Sequence, residues 1–155
     1  MESARPATPA DGPELSRLWA QAVAELDGQR GGSLLAGTLS RPDMQGFLDG
    51  AFADPDRLLV LGLFAGVTVG LASAGVERRR REPVTAIELI FVEPSARRVG
   101  VAEAMLDVVG EWSRTRGSVG VDAPALPGSR SAKSFFEAHG YTARLLIMHR
   151  PGDRL

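Results

Sequence analysis

The sequence predicts a mixed α/β fold in which a mainly antiparallel sheet is flanked by helices. Three observations lead to this class. Apolar residues recur at helical spacing near the N-terminus, three strand-like apolar runs follow one another in the middle, and helix-like and strand-like stretches then alternate to the C-terminus. A mixed sheet with helices on its faces is the most economical way to bury these apolar surfaces.

The N-terminal third predicts two helices. Asp11 is a suitable N-cap, and Glu14 three residues later completes the pattern of a capping box. The apolar positions that follow recur at helical spacing: Leu15, Leu18, Trp19, Ala22, Val23 and Leu26. Residues 29–37 are rich in glycine and predict a loop, and a second, short helix begins near residues 40–43.

Three strands are predicted next. Residues 57–64 are apolar, an Ala-Gly pair forms a tight turn, and residues 67–76 complete a hairpin. Residues 77–83 form a charged turn that leads into a third strand over 84–92. The three strands are therefore predicted to be antiparallel.

The C-terminal part predicts four elements: a long helix over 99–116, a short strand over 119–123, a helix that is capped by Ser129 and stops at Gly140, and a last strand over 141–149. Neither an internal repeat nor an interdomain linker is apparent in the sequence. Residues 1–155 are therefore predicted to form a single domain, which at this length can bury a core of its own.

Composition and charge restrict the class of protein. Hydrophobic residues make up 44% and charged residues 24% of the chain, as in ordinary soluble globular proteins. The formal net charge of −1 opposes a nucleic-acid partner, and the absence of cysteine excludes disulfides, thiolate metal sites and cysteine nucleophiles. No apolar run approaches the ~20 residues that span a bilayer, and residues 1–10 lack the apolar core of a secretory signal. A cytoplasmic protein without a membrane partner is expected.

The segment 92–102 lies between a predicted strand and a predicted helix and reads Val-Glu-Pro-Ser-Ala-Arg-Arg-Val-Gly-Val-Ala. A helix N-terminus presents unpaired backbone N–H groups and a partial positive charge. Gly100 has no side chain, so a phosphate can approach the backbone closely, and Arg97 and Arg98 add positive charge. The segment predicts a pyrophosphate-binding turn; the structural alternative is an ordinary strand–turn–helix connection with two surface arginines.

A second block, residues 129–141, reads Ser-Arg-Ser-Ala-Lys-Ser-Phe-Phe-Glu-Ala-His-Gly-Tyr. Together with the block from Arg97 to Ala102, in this order and at this spacing, it resembles the GNAT superfamily of acyl-CoA-dependent N-acetyltransferases. Members carry Arg or Gln, two residues, Gly, one residue and Gly or Ala in the first block. Their second block reads Asn-x-x-Ala, an aromatic residue, Tyr-Glu, two residues and Gly-Phe. The resemblance covers the chain from about Ala4 and implies the element order β-α-α-β-β-β-α-β-α-β.

The resemblance implies acetyl-CoA as the acyl donor. No metal is expected, because the two histidines and the carboxylates of the sequence do not have metal-ligand spacing. Backbone N–H groups of five residues would hold the pyrophosphate: Arg98, Val99, Gly100, Val101 and Ala102. The pantetheine arm would pair near Phe91 and Val92, where two parallel strands splay apart. Three further side chains are expected to contact the cofactor: Arg97, Ser129 and Lys133.

The implied reaction is direct attack of a primary amine on the thioester in a ternary complex, in which the protein orients the two substrates and removes a proton from the ammonium. The acceptor is the amine of a small molecule or a peptide, and the sequence does not identify it. Because many members of the family dimerise, a homodimer is a further expectation.

Glu88 is the candidate general base. Strand alternation places Glu88 on one face with Ile90 and Val92, opposite three apolar neighbours, Ile87, Leu89 and Phe91. A carboxylate within so apolar a run is either exposed at an edge or placed for use. Members of the family often carry a glutamate on this strand, so a base that acts directly or through water is one interpretation and a structural carboxylate is the other.

Two positions depart from the family pattern. Phe136 stands where the family carries the tyrosine that acts as general acid, and Ser129 replaces the asparagine. A phenylalanine cannot protonate the departing thiolate, although a thiol with a pKa near ~8.5 is a tolerable leaving group without help. Tyr141, the only tyrosine, occupies the position of a packing aromatic. Two hypotheses follow: an acetyltransferase without a tyrosine acid, or a module that binds acyl-CoA without turning it over.

The remaining charged features favour structural interpretations. His139 falls at the end of the last helix, where it caps the helix dipole, and His149 is predicted to be an exposed strand residue. The arginine block 78–81 is interpreted as a solvated hairpin tip, with a docking patch for an acidic substrate or for the 3′-phosphate of CoA as the alternative.

Overall fold

The computed structural model describes residues 1–78 and 82–155 and contains an open sheet of five strands in the order β1-β2-β3-β4-β5. The strands are β1 (Glu2–Pro6), β2 (Arg57–Phe64), β3 (Val67–Glu77), β4 (Val84–Val92) and β5 (Val121–Asp122). Neighbours from β1 to β4 are antiparallel, and β4 and β5 are parallel. The mixed, mainly antiparallel sheet predicted from the sequence is confirmed.

Five helices flank the sheet: α1 (Gly12–Asp27), α2 (Gly32–Leu39), α3 (Met44–Ala53), α4 (Val101–Thr115) and α5 (Arg130–Ala138). Short 3₁₀ turns occupy Pro9–Asp11, Pro94–Ala96 and Gly152–Arg154. Two core clusters result. One lies between the sheet and α4, and the other lies between the opposite face of the sheet and α1 to α3. The sheet is thus covered on both faces.

The hairpin between β2 and β3 forms where the sequence predicts it. Ala65 and Gly66 both have positive φ, of 50° and 79°, as a two-residue type I′ turn requires. Glycine adopts this conformation without steric cost, and the short alanine side chain tolerates it. The turn fixes the register in which Phe64 pairs with Val67.

The glycine-rich stretch 29–37, predicted to be a loop, contains the start of α2, which begins at Gly32 after a left-handed Gly31. The leucines and alanine of this stretch are sufficient to form a helix because Ala36 and Leu39 are buried against the core. The prediction was wrong here since tertiary burial outweighs the low helix propensity of glycine.

Strand β4 contains a bulge at Glu88. Ser73 pairs with Leu89 and Ala74 pairs with Ile87, so Glu88 is an extra residue without a partner. A bulge breaks the alternation of side chains. Ile87 therefore packs toward α4, while Leu89 and Phe91 pack toward α1 and α3. Glu88 also points to the second face, so the predicted grouping of Glu88 with Ile90 and Val92 is wrong.

The predicted last strand, 141–149, is not formed. Residues 142–150 run in an irregular conformation and make no backbone hydrogen bond within residues 1–78 and 82–155. A β-strand needs a partner for its N–H and C=O groups, and the neighbouring β5 is only two residues long. The apolar pattern of this segment is that of a strand, but its own chain does not pair with it.

Candidate active site

A groove opens where β4 and β5 separate. The two parallel strands pair only at Thr85–Val121 and Ala86–Asp122. Strand β4 then continues to Val92 with β3 on one side and no strand on the other. The groove has a volume of about 790 Å³ and is lined by β4 from Glu88 onward, the start of α4, and α5. The splayed strands expected from the family resemblance are therefore present.

Most of the predicted site residues line this groove. The structure brings together Glu88, Phe91, Val92, Arg97, Arg98, Gly100, Val101, Ala102 and Ser129. Val99 and Lys133 are outside the lining. Lys133 instead lies on the exposed side of α5, where its Nζ is 3.3 Å from a carboxylate oxygen of Glu137. Nothing in its position supports the expected phosphate contact.

The turn before α4 leaves a row of backbone donors without acceptors. Arg98 has φ of 65° and Gly100 has φ of 89°, and these two left-handed residues turn the chain into the helix. Among the described residues, no protein acceptor bonds the N–H groups of Arg98, Val99 and Gly100. The first helical N–H groups after Gly100 also lack partners within the helix. Such a row of donors suits a pyrophosphate.

The two arginines of the turn have different roles. The Nε of Arg97 donates to the carbonyl of Val92 at 2.8 Å, and its Nη2 donates to the carboxylate of Glu25 in α1. The Arg97 guanidinium also lies 5.7 Å from the ring centre of Phe91. Arg97 is therefore committed to holding the turn against β4 and α1. The Arg98 guanidinium makes no such bond within the described chain, which leaves it available for a phosphate.

Three side chains that the sequence did not indicate hold the Glu88 carboxylate. Its oxygens accept hydrogen bonds from Nη2 of Arg57, from Oγ of Ser73 at 3.0 Å and from Nη2 of Arg41 at 3.3 Å. Both arginines stack on the ring of Phe47, with 4.6 Å for Arg41 and 5.3 Å for Arg57. Only the buried Ser73, a hydroxyl within an apolar strand, gave a sequence signal that could have been noticed.

The wall of the groove formed by α5 contains the departures from the family pattern. Ser129 caps the helix, as predicted, by accepting from the backbone N–H of Ala132 at 3.4 Å. Phe136 is buried, and its ring centre lies 5.2 Å from that of Tyr141. Burial raises the pKa of Tyr141 above its usual value, which makes this phenol a weaker acid. Tyr141 also lies outside the groove lining.

The remaining candidates are two histidines and an arginine block. His139 ends α5, with its Nδ1 at 2.7 Å from the carbonyl of Phe135, as expected for a capping residue, and it also lines the groove. His149 is exposed. Arg78 pairs through two hydrogen bonds with Asp56, at 2.8 and 2.9 Å, and the other three arginines of the 78–81 block lie outside the described residues.

Neither a metal cluster nor a membrane span is found in the described part of the chain. No group of three or more potential metal-ligating side chains converges within residues 1–78 and 82–155. Of the helices in these ranges, none combines the length and the apolar character that crossing a bilayer requires.

Comparison with known families gives one match that spans most of the chain. The profile of the Acetyltransferase (GNAT) family matches residues 17–141, which include β4, the donor row and α5. No curated protein matches the chain at a significant level.

Solved structures share the fold at low sequence identity. The aminoglycoside acetyltransferase AAC(6′)-Iy, in complex with a CoA-containing bisubstrate analogue, is 20% identical over 97% of this chain and 98% of its own, with a TM-score of 0.77. An aminoglycoside acetyltransferase from an uncultured soil metagenomic sample, in complex with sisomicin, is 18% identical over 97% and 94%, with a TM-score of 0.72. A transcriptional regulator from Bacillus halodurans C-125 is 18% identical over 97% and 100%, with a TM-score of 0.69.

Proposed function

Because the chain belongs to the GNAT acetyltransferase family, we propose that it transfers an acetyl group from acetyl-CoA to the primary amine of a small molecule. The observation that carries this proposal is the groove between β4 and β5, which ends at the row of unbonded N–H groups at Arg98, Val99 and Gly100. The end with these N–H groups suits a pyrophosphate, and from there the groove runs along β4 to Glu88.

The residues of the groove fit CoA. The N–H groups from Arg98 to Ala102 would bind the pyrophosphate oxygens, and the Arg98 guanidinium would add a charged contact. Beyond Ala86 the groove edge of β4 has no neighbouring strand, so its backbone groups are free to pair with the amides of a pantetheine arm. Phe91 and Val92 lie in this stretch, and Ser129 faces it from α5.

The main task of the protein in this reaction is to position the amine next to the thioester. The amine nitrogen attacks the thioester carbon, the C–S bond breaks, and the thiolate leaves with the electron pair. Backbone N–H groups on the open edge of β4 would stabilise the oxygen that becomes negative during the attack. Since Phe136 cannot donate a proton, the thiolate would be released as such or protonated by water.

Glu88 is the proposed proton acceptor, acting through water. Its carboxylate is held on three sides by Arg41, Arg57 and Ser73. A carboxylate bound in this way is oriented well, but its lone pairs are largely occupied, so it is more suited to polarising a water molecule than to direct contact with an ammonium group. The same contacts also fit the structural alternative, and the variant Glu88→Gln distinguishes the two roles.

The charge beside Glu88 indicates which kind of amine the site would accept. Two guanidinium groups contact one carboxylate, so the cluster of Arg41, Arg57 and Glu88 behind this part of the groove carries a net positive charge. Such a site opposes a polycationic acceptor and suits an amine that carries an anionic group, for example an amino acid. This part of the proposal departs from the aminoglycosides named for the structural neighbours.

Phe136 supports a second candidate function, an acyl-CoA sensor that does not catalyse transfer. The residue is buried, its ring packs against that of Tyr141, and it has no hydroxyl with which to protonate a leaving thiolate. In this case the groove would bind acetyl-CoA, and binding alone would be the signal. A cytoplasmic location is expected for either function and stays a prediction.

Calorimetric titration with acetyl-CoA, free CoA and ATP tests the proposal first. We expect both CoA species to bind at micromolar concentration and ATP not to bind. CoA release is then measured with amino acids, simple alkylamines and aminoglycosides as acceptors. Release with the amino acids supports the transferase, whereas tight binding without release favours the sensor. If neither CoA species binds, both functions are wrong.

A further inference from the structure

A second cavity lies between α1, α2 and the start of α3. Its volume is about 580 Å³, within the range of ~300–1,000 Å³ that is usual for small-molecule sites. Among the described residues, none lines both this cavity and the groove. The proposed acetyl transfer therefore does not use the cavity.

Helix α1 separates the cavity from the groove. The residues of α1 that line the groove are Ala22, Glu25 and Leu26. Those that line the cavity are Ser16, Trp19, Ala20, Val23, Ala24 and Asp27. At 3.6 residues per turn, the two sets point in directions roughly 130° apart around the helix axis. A molecule bound in the cavity thus lies on a different side of α1 from a molecule bound in the groove.

Most of the cavity wall is apolar. Trp19 and Val23 of α1, Ala36 of α2 and Met44 of α3 contribute to it. The Nε1 of Trp19 donates to the carbonyl of Leu39 at 2.8 Å, which satisfies the polar atom of the indole and holds the ring in place. A wall of this kind suits the ring or the short hydrocarbon chain of a small molecule.

Arg41 supplies the positive charge of the cavity. Its Nη1 donates to the carbonyls of Thr38 at 2.8 Å and Ser40 at 3.2 Å, and its Nη2 donates to Glu88 at 3.3 Å. A guanidinium group has five N–H donors, so the bonds within the described chain leave two of them, on Nε and Nη2, for a ligand. The side chain is only 21% exposed, and in such a partly desolvated place a carboxylate binds a guanidinium more strongly than in water.

Asp27 is the other charged residue among the described residues of the cavity wall, and it lies at the far end. It follows Trp19 by eight residues, which places it about 12 Å farther along α1. The guanidinium of Arg41, by contrast, lies 5.3 Å from the centre of the Trp19 ring. The end of the cavity at Trp19 therefore combines an apolar wall with an arginine that Asp27 does not neutralise.

We propose that this cavity binds a small organic acid with an apolar body. The carboxylate of the ligand bonds Arg41, and its apolar part packs against Trp19. Because Arg41 also bonds Glu88, the ligand and Glu88 share one guanidinium group. Binding in the cavity is therefore coupled to the charge of Glu88 on the groove side. The binding itself does not depend on the proposed acetyl transfer.

Calorimetric titration with phenylbutyrate, in the presence of free CoA, tests the proposal. The matched probe is phenylbutylamine, which has the same ring and chain but the opposite charge. We expect the acid to bind at submillimolar concentration and the amine at least tenfold more weakly. Equal affinity for the two probes would overturn the proposal, as would no binding of the acid at about 5 mM, a weak limit for a ligand of this size.

Tryptophan fluorescence locates the bound acid. The chain has two tryptophans, so in the variant Trp112→Phe only Trp19 remains. We expect phenylbutyrate to change the fluorescence of this variant with the same dissociation constant as in calorimetry, and free CoA not to displace it. Displacement by CoA would place the acid in the groove and overturn the proposal.

Two variants test the cavity itself. Arg41→Gln removes the charge, and Ala20→Phe introduces a large side chain at an exposed position of the cavity wall. Each should weaken phenylbutyrate binding at least tenfold. The controls Arg114→Gln on α4 and Ala53→Phe at the end of α3 are exposed positions outside the cavity wall and should bind normally. Circular dichroism confirms that the variants fold, and unchanged binding by a folded Ala20→Phe variant would place the acid elsewhere.

Glu88→Gln tests the coupling. Without the competing carboxylate, Arg41 should bind the acid more strongly, so we expect the dissociation constant of phenylbutyrate to fall at least threefold. The dissociation constant of phenylbutylamine should not fall. An unchanged affinity for the acid in Glu88→Gln would show that the ligand and Glu88 do not share Arg41.

Discussion

Glu88 is the residue on which the catalytic proposal depends. Replacement by glutamine keeps the size and most hydrogen bonds but removes the negative charge and the proton acceptor. We expect Glu88→Gln to reduce kcat by about 10²-fold or more, as loss of a general base does, with the dissociation constant of acetyl-CoA unchanged within twofold. Steady-state CoA release and calorimetry measure the two quantities.

Glu103→Gln is the matched control for Glu88→Gln because Glu103 is another glutamate of the groove lining, at the start of α4. The control should retain kcat. If Glu88→Gln instead keeps kcat but loses thermal stability, Glu88 is a structural carboxylate that neutralises Arg41 and Arg57.

Gly100 tests the donor row. Its φ of 89° is unfavourable for other residues by about 1–2 kcal/mol, and a Cβ there would approach Cγ of Glu2 to 3.1 Å. We expect Gly100→Val to displace the N–H groups and to weaken acetyl-CoA binding at least tenfold by calorimetry. Gly110→Ala, in the middle of α4 with open space around it, should bind normally. Unchanged binding by a folded Gly100→Val variant would place the pyrophosphate elsewhere.

Single residues also show what the sequence could predict of the site. Gly100 and Arg98 were identifiable because a strand–turn–helix motif determines their local backbone. The face of the sheet on which Glu88 lies could not be predicted. A one-residue bulge reverses the alternation of side chains along β4, and the sequence Ile-Glu-Leu gives no sign of such a bulge. Arg41 and Arg57 come from a loop and from β2, and only tertiary packing brings them to Glu88.

At the scale of elements, the entry into α1 predicts a pH dependence. The carboxylate of Asp11 receives two hydrogen bonds from Arg5 of β1, at 2.8 and 2.9 Å, and one from the N–H of Thr8 at 2.8 Å. The Arg5 contact is the main cause that holds the pKa of Asp11 well below its usual range. The carboxylate therefore joins the first strand to the first helix.

A lowered pKa in the folded state stabilises the protein above the unfolded pKa of ~4, and the contribution is lost as pH falls below it. We expect Asp11→Asn to lower the Tm by about 2–4 °C at pH 7, and the difference from the unmodified protein to shrink toward pH 2. Asp107→Asn, an exposed position on α4, is the control. A difference that is constant from pH 7 to pH 2 would contradict the assignment.

Helices and strands were predicted correctly where a local sequence pattern determines them. The predictions failed where a distant hydrogen-bonding or packing partner determines the conformation. Strands β2 and β4 lie at the predicted bounds because continuous apolar runs between turn residues define them. The capping pattern at Asp11 and Glu14 suggested a box, but Asp11 bonds backward to Thr8 instead. The 141–149 run has the composition of a strand and lacks a partner in its own chain.

For the whole molecule, stability is unevenly distributed, and the groove lies between a firmly packed sheet and a weakly packed helix. The sheet contributes fully buried residues from β2 and β3, including Val60, Leu61 and Leu71. Helix α5 contributes only one buried residue, Phe136, and it forms a wall of the groove. A helix with so little buried area should open more easily than the central strands. That residues 1–155 form a single domain stays a prediction that unfolding experiments can test.

This difference predicts how acetyl-CoA changes the dynamics of the protein. Without it, amides of α5 should exchange at least tenfold faster than those of β3, because α5 can detach without opening the sheet. Since the groove exists only while α5 is docked, a ligand that fills it stabilises the docked state by an amount that rises with concentration above its dissociation constant. Hydrogen exchange with acetyl-CoA should therefore slow the α5 amides and leave β3 almost unchanged, and ATP should have no effect. Equal slowing of α5 and β3 would instead mean that the chain opens only as a single cooperative unit, with α5 as firmly held as the sheet.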